Sequence, residues 1–435
     1  MIYIRAVHFA ATLVATGLIF FIVFVAAPAL CAAADDKAVR ARLWPQFAFL
    51  GWFSLVLAVG SGAAWLVLTA SAMSGTPPGD LSAGVLTTVL TQTHFGLAAI
   101  VRLAAAGILA VTFAVLLSAQ DRPRVGAIAV LAAAVFTGAL AFTGHAIGGQ
   151  GAEGIVHPAA DILHLIAAAA WLGALIPLAL LLAAAGSNNS LTIARAATLR
   201  FSALGVISVG TLLVTGIVNT WYLAGSIEAL TSTFYGQLLL AKIATFLAMV
   251  AIATVNRQYL TPRLVQNESA AAAQGALRQL CRNASIEALA GFAVICMVAV
   301  LGTKPPGIHI HQHPAYGAVP SDAAFVHIHT EQAMADVTIQ PGHAGEARVT
   351  VRLWNGDFEP IEARAVKLSI TSPGGDKSPE RTAQENADGA WQVDRIELSQ
   401  PGNWTVTVDA ELTATDRAVL AAPIVIEAAH AGHGG

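Results

Sequence analysis

The chain has 435 residues, 56% of them hydrophobic and only 11% charged, with a mean hydropathy of +0.67. Soluble domains carry about 25% charged residues, so a soluble fold for the whole chain is excluded. The net charge of −3 comes without a basic stripe, which leaves no case for nucleic acid as a partner.

The charge is unevenly spread. Met1 to Thr303 hold 14 Lys and Arg, and the last 132 residues hold the other 9. The composition predicts an all-α polytopic membrane bundle followed by a small C-terminal all-β sandwich. The boundaries expected are 1–304 for the membrane domain, 305–324 for a histidine-bearing linker, 325–428 for the sandwich and 429–435 for a disordered tail. The three cysteines, Cys31, Cys281 and Cys296, all precede the sandwich, so no disulfide and no thiolate site can form there.

A helix needs about 20 apolar residues to cross the hydrocarbon core. Eight stretches qualify, at 4–30, 46–72, 94–118, 125–146, 158–184, 201–224, 237–258 and 285–303. Residues 1–33 do not read as a cleaved signal. Their apolar run of about 20 residues exceeds the 7–15 of a signal core, and Leu30 stands where a lipoprotein needs a small residue before Cys31. Orientation follows from short-loop charge. Lys37, Arg40, Arg42, Arg122, Arg124, Arg195, Arg200, Arg257, Arg263, Arg278 and Arg282 all fall in one set of loops, and the alternate loops 73–93, 147–157 and 225–236 have no Lys or Arg. The positive-inside rule puts both termini and the C-terminal domain outside the cytoplasm.

With that topology, five histidines fall at the outer leaflet. His8 is near the start of span 1, His94 opens span 3, His145 closes span 4, and His157 and His164 lie on span 5. At 100° per residue, Asp161 is about 40° from His157 and His164 about 20° to the other side, giving one polar stripe about 10 Å long. Ionisable groups at the helix centre cost at least about 2.5–3.5 kcal/mol, so each needs a partner or a cavity. Arg102 is expected to pair with Asp161 or a helix terminus, and Lys242 to snorkel outward. Imidazole suits Cu, Zn, Fe and Ni. No methionine stands near these histidines in the sequence, so His8, His94, His145, His157, Asp161 and His164 form a metal-ligand set that favours Cu(II) over Cu(I).

Beyond Pro305-Pro306 come His309, His311 and His313, then His327 and His329 in Phe325-Val326-His327-Ile328-His329. Alternate residues of a strand share one face, so His327 and His329 point the same way and form a candidate Cu(II) or Zn site, as do the first three if extended. Alternating segments then recur at 335–339, 347–353, 366–370, 391–398, 404–412 and 420–426, bounded by Pro-Gly, Asn-Gly and Asp-Gly turns. About seven short strands at regular spacing predict a small antiparallel sandwich.

Several of these stretches resemble a known family. Thr215-Gly216-Ile217-Val218-Asn219-Thr220-Trp221, Gly225-Ser226, Tyr235-Gly236-Gln237-Leu238-Leu239-Leu240-Ala241-Lys242 and Asn256-Arg257 look like the copper-resistance D (CopD) family. So do Gly144-His145, His157, His164 and Trp171-Leu172-Gly173. The similarity is strong over about 140–305 and architectural before that. The tail resembles YtkA-like domains. The resemblance implies an eight-helix inner-membrane protein of copper handling that moves copper from periplasm to cytosol, and it supports His145, His157 and His164 best. The expected partners are membrane lipid, copper ion and a periplasmic copper-binding protein. No enzymatic activity is expected. Two rivals stand beside transport: a haem b redox protein with paired histidines, and a copper-binding assembly partner of an oxidase.

Overall fold

The computed structural model describes residues 1–31, 37–74, 76–118, 122–143, 153–188, 190–224, 230–231, 233–266, 269–303, 320, 322–330, 333–355, 360–413 and 416–428. They form two compact units, one helical and one of β-sheet.

In the helical unit, eight helices among the described residues are long and apolar enough to cross a membrane. They are α1 (Ile2–Cys31), α2 (Lys37–Ser74), α4 (His94–Ser118), α5 (Pro123–Thr143), α6 (Glu153–Ser187), α7 (Leu191–Ala224), α8 (Phe234–Val265) and α9 (Ala270–Leu301). A short helix, α3 (Ala83–Gln92), lies between α2 and α4, where the sequence reads as loop. Ser82 caps it by accepting from the Val85 amide. Most spans run beyond the apolar stretch, because the polar residues flanking it are themselves good helix formers. Two helices widen into a π turn, at Ile22–Ala26 and Asn256–Leu260. Each turn precedes a proline, Pro28 and Pro262, whose missing N–H breaks the regular ladder.

α1 is the most buried span and α8 the least. Close approach explains the centre of the bundle. A Cβ on Gly17 would collide with the Ala169–Gly173 backbone of α6, and one on Gly173 with the Leu13 carbonyl of α1. Two glycines thus let the α1 and α6 backbones touch, the small-residue contact that drives helix packing in lipid. Thr16 on α1 also meets the Thr137 hydroxyl of α5 at 2.6 Å. Leu18, Phe21, Leu30, Leu43, Phe47 and Leu181 fill the core around this seam. The outer faces of α7, α8 and α9 are apolar, with Ile207, Val214, Ile217, Leu247, Leu289 and Phe292 exposed. Surface of that kind is covered by lipid in a bundle that spans a membrane.

The β unit has nine strands: β1 (Ala324–His329), β2 (Met334–Gln340), β3 (Gly345–Trp354), β4 (Ala365–Thr371), β5 (Arg381–Thr382), β6 (Gln384–Glu385), β7 (Trp391–Leu398), β8 (Gly402–Glu411) and β9 (Arg417–Ile426). They make a sheet of order β1-β2-β3-β7-β6 and another of order β5-β4-β8-β9, antiparallel throughout. Val349, Val351 and Leu353 of one sheet share a core with Val406, Val408 and Ala410 of the other. The seven strands expected from alternation are all present. The two added ones, β5 and β6, span two residues each, too short for a period-2 pattern to mark.

Candidate metal centre

Two polar rungs join α6 to α7. Asp161 Oδ1 accepts from Asn219 Nδ2 at 2.6 Å, and one turn along α6, His164 Nδ1 meets Thr215 Oγ1 at 2.9 Å. The spacing follows from helix geometry: residues three or four apart share a face, so Asp161 and His164 match Asn219 and Thr215 on the antiparallel neighbour. Hydrogen-bond logic then fixes the imidazole tautomer. Thr215 donates its single hydroxyl proton to the Thr211 carbonyl at 2.7 Å, so it accepts from His164, whose Nδ1 carries the proton. In the neutral ring that leaves the lone pair on Nε2, which has no hydrogen-bond partner among the described residues.

His164 lines a cavity of about 510 Å³ with Asn219, Thr220, Lys242, Phe246 and Met249, walled by α6, α7, α8 and α9. The Asn219 amide nitrogen is committed to Asp161, and its oxygen is buried without a partner among the described residues. Lys242, expected to snorkel outward, lines this cavity instead. Met249 changes the donor set as well, since a thioether reaches a cavity that the sequence reading left without sulfur.

His8 belongs elsewhere. It is 3% exposed, between α1, α2 and α4. Its Nδ1 donates to the Ala58 carbonyl at 2.9 Å, and its Nε2 accepts from Arg102 at 2.8 Å. Arg102 also donates to Thr12 Oγ1 at 3.1 Å and to the Phe136 carbonyl, with its guanidinium 4.4 Å from the Phe136 ring centroid. Arg102 thus pairs with His8 and not with Asp161. Both imidazole nitrogens are occupied in a network that holds α1, α2, α4 and α5 together.

The remaining candidates are dispersed. His94 is exposed at the start of α4. His145, His309, His311 and His313 lie outside the described residues, as does the side chain of His329. In the β unit, His327 Nδ1 bonds Asp336 Oδ1 at 2.6 Å across the β1–β2 register, and Asp336 Oδ2 accepts from Trp354 Nε1 at 2.7 Å. Such a carboxylate behind an imidazole is the usual support of a metal-binding histidine. Among the described residues, no three or more His, Cys, Asp or Glu side chains converge closely enough to hold a metal ion. Of the outer histidines, His8 and His164 belong to separate polar networks.

Comparison with known proteins gives this geometry its setting. The description Copper resistance protein D-like, N-terminal domain, matches residues 1–155, and Copper resistance protein D matches 195–301. Copper resistance protein D of Pseudomonas syringae pv. tomato is 31% identical over 245 residues, 55% of this chain and 78% of that protein. The chain belongs to the copper resistance D family. Inner membrane protein YebZ of Escherichia coli is 30% identical over 254 residues, 56% of this chain and 82% of its own length. Copper transport protein CutJ of Bacillus subtilis is 26% identical over 274 residues, 62% of this chain and 47% of its own.

Membership in the copper resistance D family makes this a copper-related membrane protein. Both family matches lie in the helical unit. They bracket most of α6, so His157, Asp161 and His164 fall between the two matched stretches, whereas Thr215, Asn219 and Lys242 fall inside the second. The sequence reading missed Thr215 and Met249 as site residues. Thr215 was legible as a polar residue four before Asn219 on an apolar helix. Met249 was not, because an isolated methionine in a span is ordinary core.

Proposed function

We propose that this protein carries copper ions across the bacterial inner membrane, from the periplasm toward the cytosol, as a carrier and not as an enzyme. The observation that supports it most is the His164 imidazole, which lines a 510 Å³ cavity beside the Asp161–Asn219 pair and spends its Nδ1 on Thr215. A buried neutral imidazole next to a carboxylate is a good donor pair for copper, and imidazole with carboxylate favours Cu(II). Met249 is the one sulfur donor among the cavity's described lining residues.

The absence of Lys and Arg from alternate loops supports an outward-facing histidine end with both termini extracytoplasmic. In that orientation the β-sandwich, read as YtkA-like, stands on the side from which copper arrives. There His327 and the neighbouring histidines take the ion, with a periplasmic copper-binding protein as the source. The names of the relatives, copper resistance, copper transport and inner membrane, agree with this reading.

Cell copper decides it. Expression of the wild type raises copper accumulation, and His164→Ala removes the rise at equal protein level. Unchanged cell copper on expression of the wild type rejects import. Purified protein that shows a Soret band and no copper supports the haem alternative, and normal total copper with an unmetallated oxidase supports an assembly role.

A further inference from the structure

A second cavity lies in the same crevice, toward the opposite end of α6, α7, α8 and α9. Its volume is about 330 Å³, and its largely apolar lining includes Thr198, Ser202, Asn256, Arg257 and Glu287. Leu213 lines both cavities. Between them stands an apolar cluster of Trp171, Leu175, Leu212 and Met249, in which Trp171 packs edge-on against Phe246 at 5.9 Å. One crevice therefore holds two chambers with a hydrophobic partition.

Glu287 is 2% exposed and forms no ion pair among the described residues. Its Oε1 accepts from Asn256 Nδ2 at 2.8 Å, and Asn256 Oδ1 accepts from Asn283 Nδ2 at 2.6 Å. Thr198, 7% exposed and lining the same chamber, has a buried hydroxyl without a partner among the described residues. An unpaired acid at membrane depth is costly and marks an ion or proton path. The donors are oxygens only, which suits neither Cu(I) nor the softer metals. A hard metal ion needs about six oxygen ligands. Both ends of the Asn256 amide are already spent, so that number is not at hand. A proton needs one.

We infer that Glu287 is a proton-binding site that loads and unloads once per transport cycle and couples copper movement to the proton gradient. This rests on the copper-carrier reading above. The carboxylate takes a proton from hydronium reaching the chamber from one side of the membrane and gives it up to water open to the other side, so each cycle moves one proton down its gradient and atoms and charge balance without any co-reactant. The lining contributed by α6 and α7 is free of titratable groups; α8 supplies Arg257, held on Ser202 Oγ at 2.6 Å, and α9 supplies only Glu287. The charged residue of α1, Arg5, bonds the Gly302 carbonyl just past the end of α9, 15 residues beyond Glu287. Arg257 is therefore the one fixed charge among the described residues that line the chamber with Glu287.

The test uses the purified full chain in liposomes loaded with a pH indicator. Copper addition should shift internal pH in the wild type, and Glu287→Gln should lose that shift while still binding copper. Gln keeps the acceptor for Asn256, and infrared spectroscopy of the wild type gives a readout independent of the variant. A protonated-carboxyl stretch that disappears on raising pH, and is absent in Glu287→Gln, confirms the proton site even in preparations that move no copper. Wild-type liposomes that accumulate no copper reject the carrier reading. Copper uptake without a pH shift, or no titrating carboxyl band, overturns the proposal.

Discussion

His8 and His164 show how one residue type at one depth takes two different roles. The His8 ring spends both nitrogens on Ala58 and Arg102, so it acts as a spacer that neutralises nothing and satisfies a buried guanidinium. His8→Ala should leave that guanidinium short of an acceptor and cost about 1–3 kcal/mol of stability. Thermal unfolding in detergent reads the loss, while copper binding at the His164 cavity stays as in the wild type. His164 instead spends one nitrogen and presents the other. Thr215→Val removes the hydroxyl that fixes the tautomer, and such outer partners are worth about 10–100-fold in metal affinity. Competition titration of copper should show that drop. Wild-type affinity in the variant would mean that Nε2 is not the donor. Lys242→Gln removes a positive charge from the cavity and should tighten copper binding in the same assay.

At the scale of elements, the α1–α6 contact decides whether the helices can meet at all. Gly17 and Gly173 face each other without room for a methyl group, and the obstacle on each side is backbone, which cannot rotate away. Overpacking usually costs about 1–3 kcal/mol, and here the neighbour has no rotamer to change. Gly173→Ala should therefore lower the yield of folded protein and its melting temperature. Gly210→Ala, whose Cβ would meet open space, should do neither. The two π turns belong to the same scale. The one at Asn256–Leu260 carries Asn256 itself, so the proline that disrupts α8 also sets the residue that holds Glu287.

Across the whole molecule, the helical unit relies on apolar surface and the β unit carries nearly all the surface ion pairs. Asp388 accepts from Arg352 at 2.7 Å, and this bond holds its carboxyl below the usual value. A lowered carboxyl contributes stability above its unfolded pKa of about 3.9 and loses it as pH falls through the folded value. The sandwich should thus weaken only below about pH 4, and Arg352→Ala should move its acid unfolding midpoint upward in the full chain. Circular dichroism at falling pH measures both. Amino-acid order alone determined the eight spans and the seven longer strands, because hydropathy and period-2 alternation are local properties of the chain. It also supplied the stripe of His157, Asp161 and His164, which needs only the helical repeat. Only the tertiary structure decided that Arg102 belongs to His8, that Lys242 and Met249 share the His164 cavity, and that Asn256, itself held by Asn283, reaches Glu287. Those are pairings between helices far apart in sequence, and which face meets which depends on where glycines let the backbones touch.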